Sequence, residues 1–393
     1  MMRHCMVVHS YYPLGEPRVE REAHALLASG YEVDVVCLKA AGEPAVDKVE
    51  GVDVYRLPVG RHRGRGTVVQ FFEYLSFFFM AFFKLISLHR RRRYGVVQAH
   101  NLPDFLIFAA LVPKLGHARL ILDLHDLMPE FYAASFKQGM QSWQVKLLVL
   151  QERICCRFAD QVITVTELWK QTLIRRGVPA EKITVVMNVA DSNVFQRPSA
   201  GNSPSQNGGF HLIYHGTLAH RLGVDMVIRA VAGLRSQIPG LRLTIHGRGE
   251  FLTELKELAN ELGVEEQICF STRYMPITDL PKMISQADAG VVPYRRNVFN
   301  DDILPTKMME YVALGVPVIA ARTPAIELYF KDNMVQFFEP GEVDDLAGCI
   351  LALYQDRSRL ARLARNADQF NHRYSWAAVA SDYAALVNKL NTH

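Results

Sequence analysis

The sequence predicts an α/β protein of two parallel-sheet domains. Short apolar runs alternate with segments of helical spacing through most of the chain, the signature of consecutive strand–helix–strand units. A Gly/Pro/Ser/Asn-rich stretch near the middle interrupts this alternation, which then restarts. At about 150 residues per domain, 393 residues make two unequal domains the natural division.

The elements follow in order. Cys5–His9 is a short apolar run and reads as the first strand. A loop punctuated by Pro13, Gly15 and Pro17 leads to a helix with Val19, Ala23, Leu26 and Leu27 on one face and Gly30 at its end. Val33–Leu38 closes the first such unit. Val96–Ala99 and Leu120–Leu124 are further strands, separated by an apolar helix from about Pro103 to Leu115, and Val162–Val165 and Ile183–Met187 extend the sheet. Residues 1–190 are therefore the first domain, 191–209 a linker that cannot bury a core, and 210–369 the second domain. In the second, strands are expected at Leu212–His215, Leu241–His246, Ile268–Ser271, Gly290–Pro293 and Val316–Ala320. Helices are expected at Val224–Gln237, Phe251–Leu262, Leu280–Gln286 and Lys307–Leu314.

Composition excludes several classes. Hydrophobic residues at 49% and charged residues at 21% rule out wholesale disorder and coiled coil. A net charge of +4 is too weak for a nucleic-acid partner, so none is expected. The charge is concentrated: residues 61–93 carry Arg61, Arg63, Arg65, Lys84 and Arg90–Arg93 against Glu73 alone, a net +7. Six cysteines without a C-x-x-C pair fit neither a disulfide framework nor a zinc site, and the N-terminus reads as a strand rather than a signal peptide. A cytoplasmic protein, peripheral on the inner face of a membrane, is the expectation.

The basic cluster adjoins seven of the 21 phenylalanines, all between Phe71 and Phe83. The charge-free stretch Tyr74–Phe83 is only ten residues, short of the about 20 needed to span a bilayer. Phe71–Leu88 therefore reads as a core helix, as an interfacial helix drawn to an anionic membrane surface through the Phe71–Arg93 region, or as both on opposite faces.

In parallel α/β domains ligands bind beyond the carboxyl ends of strands, so the turns there are the candidate sites. His215–Gly223 offers Gly216 for close backbone approach and Arg221 as a permanent charge. Gly247-Arg248-Gly249 follows a strand as a phosphate loop does. Leu252 stands where a third glycine would complete a dinucleotide fingerprint, which disfavours a dehydrogenase. Asn300–Ala320 is the most informative segment. Pro305-Thr306 begins a helix with Thr306 as candidate N-cap, its free N–H groups and Lys307 form an anion site, and Gly315 ends the helix. Glu310 lies one turn in, where a carboxylate suits the vicinal hydroxyls of a ribose whose diphosphate sits at the helix start.

At these residues the chain resembles the retaining glycosyltransferases of family 4, whose fold is GT-B: two Rossmann-like domains facing across a cleft. The resemblance rests on Asp302-x7-Glu310 followed by Ala313–Ala320. Val186–Asp191 with Phe195, Tyr214–Leu218, Gly223-Val224-Asp225, Ala287–Pro293 and Tyr374-Ser375-Trp376 extend it over most of the chain. It implies that a closing helix, about 370–393, packs back on the first domain. It implies further that Glu310 holds the ribose, Asp302 faces the donor sugar, and Pro305, Thr306 and Lys307 meet the diphosphate. Gly15 would sit in the small turn against the donor, His125 would be the first-domain catalytic-site histidine, and Arg273 and Tyr274 would hold the base. Gly216, Thr217 and Gly247 belong to the same donor-binding turns. The signature departs at Asp302, where the family carries Glu, and the family's basic pair falls at Thr217 and Leu222. Arg221 and Lys307 are the cations expected in its stead.

The function implied is transfer of a hexosyl unit from a nucleoside diphosphate sugar, with a UDP-sugar favoured, to a hydroxyl of a lipid-linked or glycan acceptor in surface polysaccharide or glycolipid synthesis. Anomeric configuration is retained. No D-x-D motif occurs, so neither metal nor other cofactor is expected and cationic side chains take that role. Two alternatives stay open: a sugar-nucleotide epimerase or hydrolase on the same fold, and a non-catalytic nucleotide-sugar-binding subunit.

Overall fold

The computed structural model describes residues 2–60, 66–197 and 209–392. Most of the expected linker, residues 198–208, and Arg61, Arg63 and Arg65 of the basic cluster lie outside the described residues. The chain divides into two units, one of Met1–Asn188 with Ala378–His393, the other of Val189–Ala377.

Unit 1 is built on β1 (Arg3–Tyr11), α1 (Pro17–Ala28), β2 (Glu32–Leu38), β3 (Val46–Val49), β4 (Val52–Leu57), α2 (Thr67–Arg92), β5 (Val96–His100), a 3-10 helix (Asp104–Ala110), α3 (Leu111–Leu115), β6 (Arg119–Leu124), α4 (Met128–Ser135), α5 (Trp143–Phe158), β7 (Gln161–Thr164), α6 (Glu167–Arg175) and β8 (Ile183–Val185). Its sheet runs β3-β4-β2-β1-β5-β6-β7-β8. All pairs are parallel except β3 with β4. That antiparallel pair is absent from the sequence expectation. It forms because Glu50 and Gly51 both take positive φ, 47° and 91°, which closes a two-residue hairpin. The expected Pro103–Leu115 helix is instead a 3-10 helix followed by one short α-helical stretch. Strands of the sheet's centre are buried on both faces, which is why they read as unbroken Val/Ile/Leu runs. Tyr383, Ala384 and Val387, near the C-terminus, join the core of Met6, Val19, Leu26 and Val35.

Helix α2 is 26 residues long, Thr67–Arg92, and extends the expected Phe71–Leu88 at both ends. By length and composition Val68–Arg92 could cross a membrane, yet one face is fixed into unit 1. Phe77, Ala81, Leu85 and Leu88 are buried at helical spacing, while Phe72, Phe79 and Phe83 are exposed on the opposite face. The helix therefore has the core face that the sequence expected, and an exposed phenylalanine face opposite it.

Unit 2 continues with β9 (Phe210–His215), α7 (Val224–Leu234), β10 (Leu241–His246), α8 (Leu252–Glu261), β11 (Ile268–Ser271), α9 (Leu280–Ile284), β12 (Ala289–Val292), α10 (Thr306–Ala313), β13 (Val318–Ala321), α11 (Pro324–Tyr329), β14 (Gln336–Phe338), α12 (Val343–Gln355) and α13 (Arg357–Arg373). Helix α14 (Trp376–Asn391) carries the chain into the C-terminal segment of unit 1. The second sheet runs β11-β10-β9-β12-β13-β14 and is parallel throughout. Its order reverses between β9 and β12, which places a crevice beyond the ends of those two strands.

Candidate functional site

The crevice of unit 2 is a cavity of about 290 Å³ lined from three places. His215 ends β9 and Gly216 and Thr217 follow it, Tyr294 follows β12, and Thr306, Lys307 and Glu310 come from the first turns of α10. Arg221, Phe299 and Asn300 close its side.

Helix α10 points its N-terminus into this space. Pro305 occupies the N-cap position with φ −66° and ψ 127°, and no side chain caps the helix. The expectation that Thr306 is the N-cap is thus corrected: Thr306 is the first helical residue. Proline ahead of the first turn fixes the entry angle and leaves the leading N–H groups for a ligand. Gly315, with φ 71°, ends the helix region as expected.

Lys307 is almost fully buried, only 6% exposed. Its Nζ lies 3.1 Å from Tyr294 Oη and 4.8 Å and 5.0 Å from the ring centroids of Tyr214 and Tyr294. Burial opposes its charge, but the two tyrosines outweigh that cost and hold its pKa above the ordinary lysine value. Aromatic faces stabilise an ammonium without neutralising it. Gly216 makes room: a Cβ there would lie 3.2 Å from Lys307 Cε, and its φ of 115° suits glycine.

At the far end of the cavity His215 Nε2 stands 3.1 Å from Glu310 Oε2. The pair lacks hydrogen-bond alignment, and both atoms are buried without another partner, as is Asn300 Oδ1. Buried polar atoms in native proteins are overwhelmingly paired, so three orphans on one cavity wall point to ligand groups that pair with them. Asn300 Nδ2 donates to the carbonyls of Arg221 and Arg295, which holds the cavity's side wall. Arg295 in turn grips Asp225 through two bonds of 2.7 and 2.6 Å.

Of the residues expected from sequence, the structure gathers Gly216, Thr217, Arg221, Thr306, Lys307 and Glu310 on this cavity. Pro305 is buried just behind it, and Asp302 is half-buried outside its lining. Gly247 does not line it either. Its φ of 154° and a Cβ position 1.8 Å from the Gly216 carbonyl show that its role is close backbone support of Gly216. Gly249 does the same against Leu218, so close backbone packing at the strand end requires both glycines. Arg273 and Tyr274 are exposed and away from the lining. His215, Tyr294 and Asn300 were missed. Each lies at a strand end or at the start of the α10 segment, but no local pattern marks it.

A second cluster lies in unit 1 beyond β1, β5 and β6. His125 Nε2 is 3.0 Å from His100 Nδ1 and 3.3 Å from Asp123 Oδ2. Its Nδ1 is 3.7 Å from Glu16 Oε1. Gly15 is adjacent in sequence to Glu16, and its amide donates to the Tyr11 carbonyl in a turn where a Cβ would meet that oxygen at 2.5 Å. Asp123 is gripped by Arg18 through bonds of 3.0 and 3.1 Å. Burial works against charge here, but Arg18 and His125 hold the Asp123 carboxyl well below its usual range. For His125 burial is likewise outweighed, by Asp123 and Glu16, and its pKa is raised; His100, wholly buried, is lowered. Behind them Gln98 donates to Glu22 at 2.7 Å and accepts from Tyr383 at 2.6 Å. His100, Asp123 and His125 offer three atoms close enough to hold a metal ion. Both oxygens of Asp123 already serve the Arg18 guanidinium, which repels a second cation, so the cluster is better suited to fixing the histidines than to metal binding.

Comparison with known proteins assigns the class. Residues 15–188 match the family model "Glycosyl transferase 4-like domain", and residues 198–370 match "Glycosyl transferases group 1". The chain belongs to glycosyltransferase family 4 and has the GT-B fold. The GDP-mannose-dependent alpha-(1-6)-phosphatidylinositol monomannoside mannosyltransferase of Mycolicibacterium smegmatis is 39% identical over 149 residues, 37% of this chain and 39% of that enzyme. The chitobiosyldiphosphodolichol beta-mannosyltransferase of Debaryomyces hansenii is 22% identical over 369 residues, 81% of this chain and 72% of that enzyme. The sucrose-phosphate synthase of Thermosynechococcus elongatus shares the fold with a TM-score of 0.80 at 19% identity over 99% of both chains. The protein is a glycosyltransferase.

Proposed function

We propose that this glycosyltransferase moves a hexosyl unit from a nucleoside diphosphate sugar to a hydroxyl of a lipid-linked acceptor, with retention and without a metal ion. The observation that carries the reading is Lys307. A buried ammonium held by two tyrosine faces, at the start of an uncapped helix and beside Gly216, is suited to a diphosphate. Glu310 and His215, one turn deeper with orphaned atoms, suit ribose hydroxyls. The sequence favoured a UDP-sugar. The name of the first curated relative supports GDP-mannose as a second donor, and the phosphatidylinositol and dolichol in the two relatives' names support a lipid-linked acceptor.

The chemistry follows from charge. The bond between the anomeric carbon and the diphosphate oxygen breaks, and the acceptor oxygen bonds to that carbon on the same face. The departing diphosphate takes the acceptor proton. Negative charge grows on the leaving group as the bond stretches, and Lys307, Arg221 and the start of α10 stabilise it there, which lowers the barrier. In unit 1, His125, its pKa raised by Asp123 and Glu16 against the cost of burial, keeps the catalytic role that the family resemblance implies. Exposed phenylalanines of α2 beside Arg90, Arg91 and Arg93 suit a membrane surface from which a lipid-linked acceptor is presented, at the inner face of the membrane.

The test is a thermal-shift screen of UDP, GDP, ADP and their sugar conjugates, without metal, on wild type and Glu310→Ala, followed by transfer to lipid extracts. A ligand at 100 times its dissociation constant stabilises by about 2.7 kcal/mol. One base shifting wild type alone fixes the donor class. Free sugar or an epimer formed without acceptor would replace the reading with a hydrolase or epimerase, and binding without any turnover would make the chain a nucleotide-sugar-binding subunit.

A further inference from the structure

Unit 1 carries a second apolar face. On α5 the exposed residues Trp143, Leu147, Leu150 and Ile154 stand at helical spacing, each more than half exposed, with Trp143 at 72%. The same face bears Lys146, Arg153 and Arg157, all exposed, and no carboxylate: the helix's one acid, Glu152, is fully buried and held by Arg176. None of the three cations forms an ion pair among the described residues. Helix α5 is not remote from α2. The 3-10 helix between β5 and β6 touches both, with Phe105 ring to ring with Phe78 of α2 at 5.9 Å and Phe108 with Phe158 of α5 at 4.9 Å. Right-handed crossovers put the connections β4→β5, β5→β6 and β6→β7 on one side of the sheet. Their outer surfaces therefore turn the same way.

We propose that α5 is a second lipid-contacting helix of unit 1, which together with α2 lays one face of the unit on an anionic phospholipid bilayer. This rests on the membrane-bound acceptor reading for its purpose. Charge selects the occupant. An apolar stripe edged by three unpaired cations and no acid suits a surface that is both apolar below and anionic above. A protein groove of ordinary composition would leave those cations facing nothing. Trp143, at the start of α5, has the apolar body and polar N–H that favour the headgroup boundary. Two helices in contact through one 3-10 helix give a broad footprint rather than a line, which would hold unit 1 at a defined orientation to the lipid.

The experiment uses the full chain with vesicles of phosphatidylcholine alone or mixed with phosphatidylglycerol. Wild type is expected to cosediment with the anionic vesicles, and K146E/R153E/R157E to lose about a hundredfold in affinity, at about 1 kcal/mol per basic residue removed. Trp143 emission, read in a Trp376→Phe background with Trp169 buried, should shift to the blue on binding. Nucleotide thermal shifts unchanged in the variant show that the fold and the unit 2 cavity survive. Binding by the α5 variant within threefold of wild type overturns the proposal. If Arg90, Arg91 and Arg93 reversal abolishes binding in that same experiment, the α2 reading stands while this one falls. Wild type failing to bind anionic vesicles overturns both and leaves the transferase reading to the nucleotide data. A wild-type dimer that Leu147→Ser/Leu150→Ser makes monomeric, without any vesicle binding, overturns it in favour of a self-association face.

Discussion

Replacing Lys307 by Met tests the charge at the centre of the donor cavity. Methionine keeps the length and the apolar stem of lysine but removes the ammonium that lies 4.8 Å and 5.0 Å from the Tyr214 and Tyr294 ring centroids. A unit charge about 4 Å from a phosphate oxygen, at an effective dielectric constant of about 20, is worth about 4 kcal/mol. Single donors aimed at developing charge in enzyme sites are worth about 2.7–4 kcal/mol. The expected loss in kcat/KM is therefore about 10²- to 10³-fold. Stability should fall as well. The two tyrosines hold the folded Lys307 pKa above its ordinary value despite burial, so its charge is favoured on folding, and Met leaves the Tyr294 hydroxyl without its 3.1 Å donor. Urea unfolding of Lys307→Met should thus give a free energy below wild type, by about 1 kcal/mol or more. The assay is initial-rate transfer with the nucleotide sugar found in the thermal-shift screen, alongside a nucleotide titration. A folded Lys307→Met enzyme with kcat/KM within threefold of wild type would refute the placement of the diphosphate at α10.

Other perturbations follow from the same geometry. His125→Gln should lower turnover with little change in nucleotide affinity, because His125 lies in unit 1 and the nucleotide cavity in unit 2; an equal loss in both would contradict separate roles. Since the folded pKa of His125 is raised, its contribution to stability is complete below the unfolded value of about 6.5 and fades as pH rises through the folded value, so the wild-type advantage over His125→Gln should shrink in that direction. His4 has the opposite sign: fully buried, it is lowered to about 3, first by burial and then by His100, with Gln98 only partly offsetting them. Acid should therefore destabilise wild type relative to His4→Leu, by about 2 kcal/mol between pH 6.5 and pH 5, read by urea titration at the two pH values. Gly223 has φ 70°, and a Cβ there would lie 1.9 Å from the Pro293 carbonyl oxygen. Gly223→Ala should cost about 3 kcal/mol through strain and displacement of the Pro293–Tyr294 segment, and a loss under about 1 kcal/mol would contradict the close approach.

The sequence by itself determined what depends on neighbours along the chain. Apolar runs and helical spacing located most strands of both sheets, though not β3, β4 and β14, because each needs only a local periodicity to bury its face. Pro305 and Gly315 bracketed α10, and Lys307 and Glu310 fell on its first turns, so half of the cavity was legible before folding. What stayed hidden needed partners far away. Tyr294 and His215 meet at the cavity because β9 and β12 pair, with Leu212 opposite Ala289 and Ile213 opposite Gly290. The absence of a side chain at Gly290 admits the Tyr311 ring, whose hydroxyl accepts from the His215 amide at 3.2 Å. Arg18 and Asp123, 105 residues apart, pair in the fold, and Asp123 raises the pKa of His125 against the cost of burial. The division of α2 into a core face and an open face was likewise settled by packing alone, since a run of phenylalanines has no polar side to announce its orientation. Glycines 247 and 249 carried a phosphate-loop pattern in sequence, yet in three dimensions they are backbone contacts. Local periodicity is written in residue order, whereas convergence of side chains depends on the register between distant strands, and only the folded chain fixes that register.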